Sequence, residues 1–170
     1  PLVACDWADQ IHRRGVATGL VACYLDATRA LAGVATLAGD AAAAARHAAE
    51  AEAIRAEANA TLWRESVPST RHAPPPGPAI GHYVGWRADG RDFDYFETDS
   101  NCRAIVSGLA DAPRAAAIVG FMRRHRTYFL GPADGSPPAA KVCFGDYEPA
   151  DLASIHERSG DGRYHTQHWG

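Results

Sequence analysis

An all-α chain, two helical hairpins separated by a long loop that carries a small β-hairpin, is the fold class that the sequence predicts. Three observations predict it. Leu20, Tyr24, Leu31 and Val34 recur at near-helical spacing through a stretch from Val16 to Ala38 that holds few polar residues. A charged, alanine-rich stretch follows from Asp40 to about Trp63. A second capped pair of helical segments then lies between Thr98 and Arg126. The 170 residues are in the range of one domain.

The first helix is apolar almost all round, a pattern that predicts a helix surrounded by protein. Gly39 supplies a left-handed residue to end it, and Asp40 caps the next helix. So short a connection makes the two helices antiparallel neighbours. In the second helix Arg46, Glu50, Glu52, Arg55 and Glu57 leave a narrow stripe of Ala51, Ile54, Ala58 and Leu62, which predicts an outer helix facing water. The alanine run at 41–45 needs no disorder to explain it, because alanine has the best helix propensity. This first hairpin occupies residues 16–63.

Residues 64–97 are read as the loop. Pro68, Pro74, Pro75, Pro76 and Pro78 forbid a helix there. His82 to Trp86 and Phe93 to Phe96, on either side of Asp89-Gly90, have the aromatic content and turn residues of a small hairpin. In the second helical hairpin, residues 98–126, Thr98-Asp99-Ser100 open the first segment and Asp111 with Pro113 the second. Ile118, Phe121 and Met122 form the buried face of that segment. Arg123, Arg124 and Arg126 suit its negative end, so the basic run implies no nucleic acid. The tail, residues 127–170, is irregular, with a short helical turn expected at Leu152 to Glu157. Two hairpins cannot cover their own apolar faces, so further helical neighbours are expected.

The net charge of -3 gives no electrostatic reason to expect a nucleic-acid or anionic-membrane partner. Asp26 and Arg29, in the middle of the apolar stretch, argue against a membrane span. Cys5, Cys23, Cys102 and Cys143 are too widely spaced for a zinc knuckle or a compact disulfide framework. The chain starts at Pro1 with no basic segment ahead of an apolar run, so no signal peptide is seen and a cytoplasmic location is expected.

Several groups are candidates for chemistry. Asp6 and Asp9 flank Trp7, whose indole can supply an apolar wall that raises a neighbouring carboxyl pKa. The same carboxylates have a structural role open to them, as helix caps or as partners of Arg13 or Arg14. Trp86 and Tyr95, with Tyr83 and Phe96, bring aromatic faces suited to stacking on a sugar or to forming a local loop core. Asp99 and Asn101 either bind hydroxyls or cap the third helix. His165 and His168 have an i, i+3 spacing that metal ligands use, with His156 and Cys143 upstream, but no acidic residue completes the set. No metal or cofactor is expected.

Asp6-Trp7-Ala8-Asp9, Arg13 and Gly15, Leu37-Ala38-Gly39-Asp40, Asn59-Ala60-Thr61-Leu62-Trp63, Phe96-Glu97-Thr98-Asp99-Ser100-Asn101, Ala104-Ile105-Val106 and Gly108-Leu109-Ala110 form an ordered set. In order and spacing this set resembles the catalytic domain of the six-hairpin glycosidases over most of residues 5 to 126. The resemblance is to the amylo-alpha-1,6-glucosidase domain of glycogen debranching enzymes and to the alpha-glucosidase and mannosylglycerate hydrolase group. It implies a partial (α/α)6 barrel to which this chain supplies roughly a third of the helices. It implies a carbohydrate substrate, hydrolysis of an alpha-linked glucoside or related oligosaccharide, and an inverting course. Trp7-Ala8-Asp9 matches the acid motif, which makes Asp9 the general acid. The base is expected beyond this chain, with Glu97, Glu148 and Glu157 as the fallback within it. Asp6, Trp7, Arg13, Trp86, Tyr95, Asp99 and Asn101 are then expected around the sugar, with Tyr164, Gln167 and Trp169 of the tail. A helical-hairpin interaction scaffold without catalysis is the alternative from another class, and a sugar-binding relative is the other.

Overall fold

The computed structural model describes residues 13–68, 75–130, 140–141, 143–144, 147–151 and 168–169. Strand β1 (Val16–Ala17) leads into α1 (Thr18–Leu37), which a tight turn joins to α2 (Ala41–Thr61). Four strands follow, β2 (Trp63–Ser66), β3 (Ile80–Tyr83), β4 (Trp86–Ala88) and β5 (Arg91–Phe93), and then the helices α3 (Thr98–Val106), α4 (Ala112–Arg124) and α5 (Arg126–Leu130). The short strands β6 (Ala140–Lys141) and β7 (His168–Trp169) pair with each other, and a 3-10 turn spans Pro149–Asp151.

The chain is therefore mixed α and β, which overturns the all-α expectation and the partial barrel with it. The strands are part of the framework and not a decoration of one loop. β1 pairs antiparallel with β4, which also pairs with β5, and β2 pairs with β3 over four residues. Strands thus bracket the first helical hairpin, one immediately before α1 and one immediately after α2. Sequence patterning misses them because β1 is two residues long and β2, Trp-Arg-Glu-Ser, shows no clean alternation; pairing partners distant in sequence decide such strands.

Local chemistry explains the helix ends. Gly39 at φ 76° ends the first hairpin's turn, and Asp40 accepts a hydrogen bond from Ala43 N at 2.9 Å. Asp111 caps α4 in the same way through Arg114 N at 3.0 Å. The β4–β5 turn falls on Asp89 and Gly90, both at positive φ, as a two-residue hairpin of the mirror-image type needs.

Helices α1 and α3 run parallel. Gly19 lies against Ser100, Cys23 faces Arg103, and Arg29 donates to Ser107 O, so both helices advance in the same direction. Their N-termini share one end of the molecule. The main core joins Leu25 and Leu62 of the first hairpin to Tyr83, Phe96, Ile118 and Phe121, where each fully buried large side chain contributes on the order of 1.5–3 kcal/mol. A second cluster gathers Ala17, Trp86, Ala88, Tyr95, Cys143 and Tyr147.

The expectation that α1 is surrounded by protein is also overturned. Only Thr18, Ala22, Leu25 and Thr28 of this helix are buried, while Leu31, Val34 and Leu37 are 51%, 61% and 90% exposed. α2 and α3 cover its two flanks, and the side between them is open. α2 is mostly exposed, with Ala51 and Ala58 buried.

Candidate functional site

The shared N-terminal end of α1 and α3 holds a buried carboxylate. Glu97, the residue before α3, is 2% exposed. Arg13 donates to its Oε1 from Nε at 3.0 Å and from Nη2 at 2.7 Å, and Tyr147 donates to the same oxygen at 2.9 Å. Ser100 donates to Oε2 at 2.6 Å. Every one of these partners is a donor aimed at the carboxylate, so its burial leaves neither oxygen without a hydrogen bond. Tyr147 remains a phenol, because burial first and then the charge of Glu97 push its ionisation well above the ordinary range.

Backbone geometry makes room for this pair. A Cβ at Gly85 would stand 3.3 Å from the Glu97 carboxyl carbon, so any larger residue there crowds the ion pair. Gly15, at φ 67°, lets the chain pass Arg87 at a distance that no side chain allows, since an added Cβ would meet Arg87 O at 2.3 Å. The chain then enters β1 and α1 directly behind Arg13.

In front of Glu97 lies a pocket of about 180 Å³ lined by Arg13, Gly19, Leu20, Cys23, Asp99, Ser100 and Arg103. Two of the residues expected at a sugar site, Arg13 and Asp99, meet here. Asp99 binds Arg103 at 2.8 Å and sits in the first turn of α3, where the helix dipole favours an anion. The charges at the pocket nearly balance, which suits a neutral polar ligand.

Trp86 and Tyr95 lie behind this end, in the closed second cluster. Trp86 is fully buried, stacked on Phe93 at 4.7 Å and on Tyr95 at 5.3 Å, and its indole N–H has no hydrogen-bond partner among the described residues. Tyr95 donates to Asp151 at 2.6 Å. Both rings fill the loop core of the β4–β5 hairpin and turn no open face to the pocket. Tyr83 and Phe96 belong to the main core.

Asn101 is fully buried too, and is neither a cap nor open to a ligand. Its Oδ1 accepts from Tyr83 N at 3.0 Å, and its Nδ2 donates to Tyr83 O at 3.1 Å and Glu97 O at 2.9 Å. It therefore fastens the end of β3 to the start of α3. Thr98-Asp99-Ser100, read as the cap, lies inside α3, and Glu97 takes the cap position without a side-chain cap bond.

A second polar cluster joins the two sheets. His82, fully buried, meets Asp94 Oδ1 through Nε2 at 2.7 Å and Ile80 O through Nδ1 at 3.2 Å, and Ser66 donates to Asp94 Oδ2 at 2.8 Å. Burial alone would raise the Asp94 carboxyl, but the hydrogen bond and charge of His82, with Ser66 and Arg64, outweigh it and hold it below its ordinary value. Serine and histidine both address the aspartate, so this is not the serine-to-histidine order of a nucleophilic triad.

Asp6, Trp7, Asp9, Tyr164, Gln167, the Trp169 side chain, Glu157 and the turn expected at Leu152 to Glu157 lie outside the described residues. Glu148 is exposed beside Tyr95, which its backbone N–H reaches at 3.0 Å. Among the described residues no group of three His, Cys, Asp or Glu side chains could hold a metal ion. Sequence reasoning held Glu97 only as a fallback base and did not single out Ser100 or Tyr147. The one local signal was a carboxylate directly ahead of a helix start. No family model and no curated protein matches this chain.

Proposed function

We propose that the chain carries the acid half of a glycoside-hydrolysing site at the shared N-terminal end of α1 and α3. Asp9 protonates the leaving glycosidic oxygen of an alpha-linked glucoside or related oligosaccharide, and the pocket between Arg13 and Asp99 receives sugar hydroxyls. The observation that carries this reading is the meeting of Arg13, Asp99 and Ser100 at one near-neutral pocket, backed by the buried Arg13–Glu97 pair. Asp9 precedes Arg13 by four residues in the sequence.

Within this reading Arg13 is a positioning residue, since Glu97 holds its guanidinium, and Asp99 is the hydroxyl acceptor. Glu97 is not the base in this reading: it is 2% exposed, its Oε1 accepts from Arg13 and Tyr147 and its Oε2 from Ser100, so the carboxylate is engaged by internal partners. The base comes from beyond this chain, at the separation of about 6.5–9.5 Å that inverting hydrolysis uses. Trp86 and Tyr95 act as the packed wall behind the site.

In the complete protein, Asp9→Asn should lower release of nitrophenol from a nitrophenyl alpha-glucoside by about 100- to 10,000-fold, the usual worth of a positioned acid. Undiminished release would remove Asp9 from the role. A second reading, a helical scaffold without catalysis, is favoured by the open apolar side of α1, which the hydrolytic reading leaves unused.

A further inference from the structure

The open side of α1 has its own regularity. Leu20, Tyr24, Ala27, Leu31 and Val34 follow one another at steps of four, three, four and three, the spacing of a helix-pairing seam, and all five are exposed. No charged residue falls within the seam. Leu20, Tyr24, Leu31 and Val34 of the seam are 42%, 53%, 51% and 61% exposed. Together they make a patch on the order of 400 Å², within the ~300–600 Å² of the largest apolar patch on a typical monomer and about half of the ~800 Å² that each partner contributes to a stable interface, the flanking α2 and α3 supplying the rim.

We propose, on the scaffold reading, since Leu20, Cys23 and Arg103 also line the pocket that the hydrolase reading gives to sugar, that this face pairs with the same face of a second copy of the chain, α1 against α1, about a two-fold axis parallel to the helices. The flanks of the seam select that arrangement. On one side α2 brings Glu50 to the level of Tyr24, whose hydroxyl donates to it at 2.5 Å; on the other side α3 brings Arg103 to the level of Cys23. A parallel two-fold axis sets each flank against the opposite flank of the other copy. Glu50 of each protomer then faces Arg103 of its partner at the same height, in two symmetric pairs. An antiparallel axis would instead set Glu50 against Glu50, at a cost.

The same flanks argue against a lipid surface as the occupant. α1 is long and apolar enough to cross a membrane by length and composition. Burying its open side in lipid would carry the adjoining Glu50 and Glu57 of α2 toward the hydrocarbon, where ionised groups are costly. A second protein copy lets those charges stay at a wet rim.

Light scattering after size exclusion tests the dimer on the full 170-residue chain. The wild type should run as a dimer at micromolar concentration, and Leu31→Glu with Val34→Glu should run as a monomer with unchanged circular dichroism. Glu50→Arg should shift the dimer toward monomer, and adding Arg103→Glu should restore it, which reads the charge pairing even if the double glutamate variant fails to fold. In a Cys23→Ser background, Val34→Cys should form a disulfide between copies on mild oxidation. A monomeric wild type would overturn the proposal, and so would failure of the Val34→Cys link. Binding to phosphatidylglycerol vesicles in place of self-association would overturn it in favour of a lipid surface.

Discussion

The first helical hairpin and the segment around α3 use their apolar and polar residues in opposite ways. In α1 and α2 the buried residues are mainly small or aliphatic, Ala22, Leu25, Ala51 and Ala58, while large apolar side chains stand in solvent. Around α3 the large aromatic rings Tyr83, Trp86, Phe96 and Tyr147 are wholly buried, and Arg13, Glu97 and Asn101 are buried with them, each hydrogen-bonded. Helix propensity and caps can form the hairpin locally, but its outer face needs a partner. The α3 region closes on itself and is held by contacts that only the folded chain provides.

Substitutions sharpen that contrast by their size. The largest effect expected is from Glu97→Ala, which takes the Glu97 counter-charge from the buried Arg13 guanidinium and should cost about 3–5 kcal/mol in urea unfolding. A cost near zero would mean that the pair is open to water. Asn101→Ala should come next, at about 1–3 kcal/mol, because the backbone N–H and C=O of Tyr83 lose their side-chain partner in a buried setting. In the hairpin, Asp40→Ala removes only a cap bond to Ala43 N and should cost about 1 kcal/mol, with helix content by circular dichroism otherwise unchanged.

The smallest effect is one of pH. The Asp94 carboxyl is held below its ordinary value of 3.8 in the folded chain, so its contribution is complete above that value and is lost as the pH falls through the lower, folded one. An acid titration of stability should therefore decline less steeply in Asp94→Asn than in the wild type. Equal slopes would show that His82 and Asp94 do not act as a pair.

Legibility in the sequence follows the range of the interaction. The turn at Gly39 and Asp40, the cap at Asp111 and the Asp89-Gly90 hairpin turn could be read because each is determined by residues within three or four positions. Strand β2 could not, since Trp63 to Ser66 become a strand only by pairing with Ile80 to Tyr83 across a proline-rich loop. The same limit applied to the site. Arg13 and Asp99 were legible as polar residues near helix starts, but Glu97 gains its place from an arginine 84 positions away and a tyrosine 50 positions away.

The sequence by itself thus determined the helical segments, the caps at Asp40 and Asp111, the turn between the first two helices and the contrast between an apolar first helix and a charged second one, because periodicity and capping are local. The tertiary structure alone decided that strands bracket the first hairpin, that α1 and α3 run parallel with their N-termini together, and that Trp86 and Asn101 face inward. It also decided that the apolar side of α1 faces out. A pattern shows that a face is apolar, whereas what covers that face depends on packing between segments far apart in the chain.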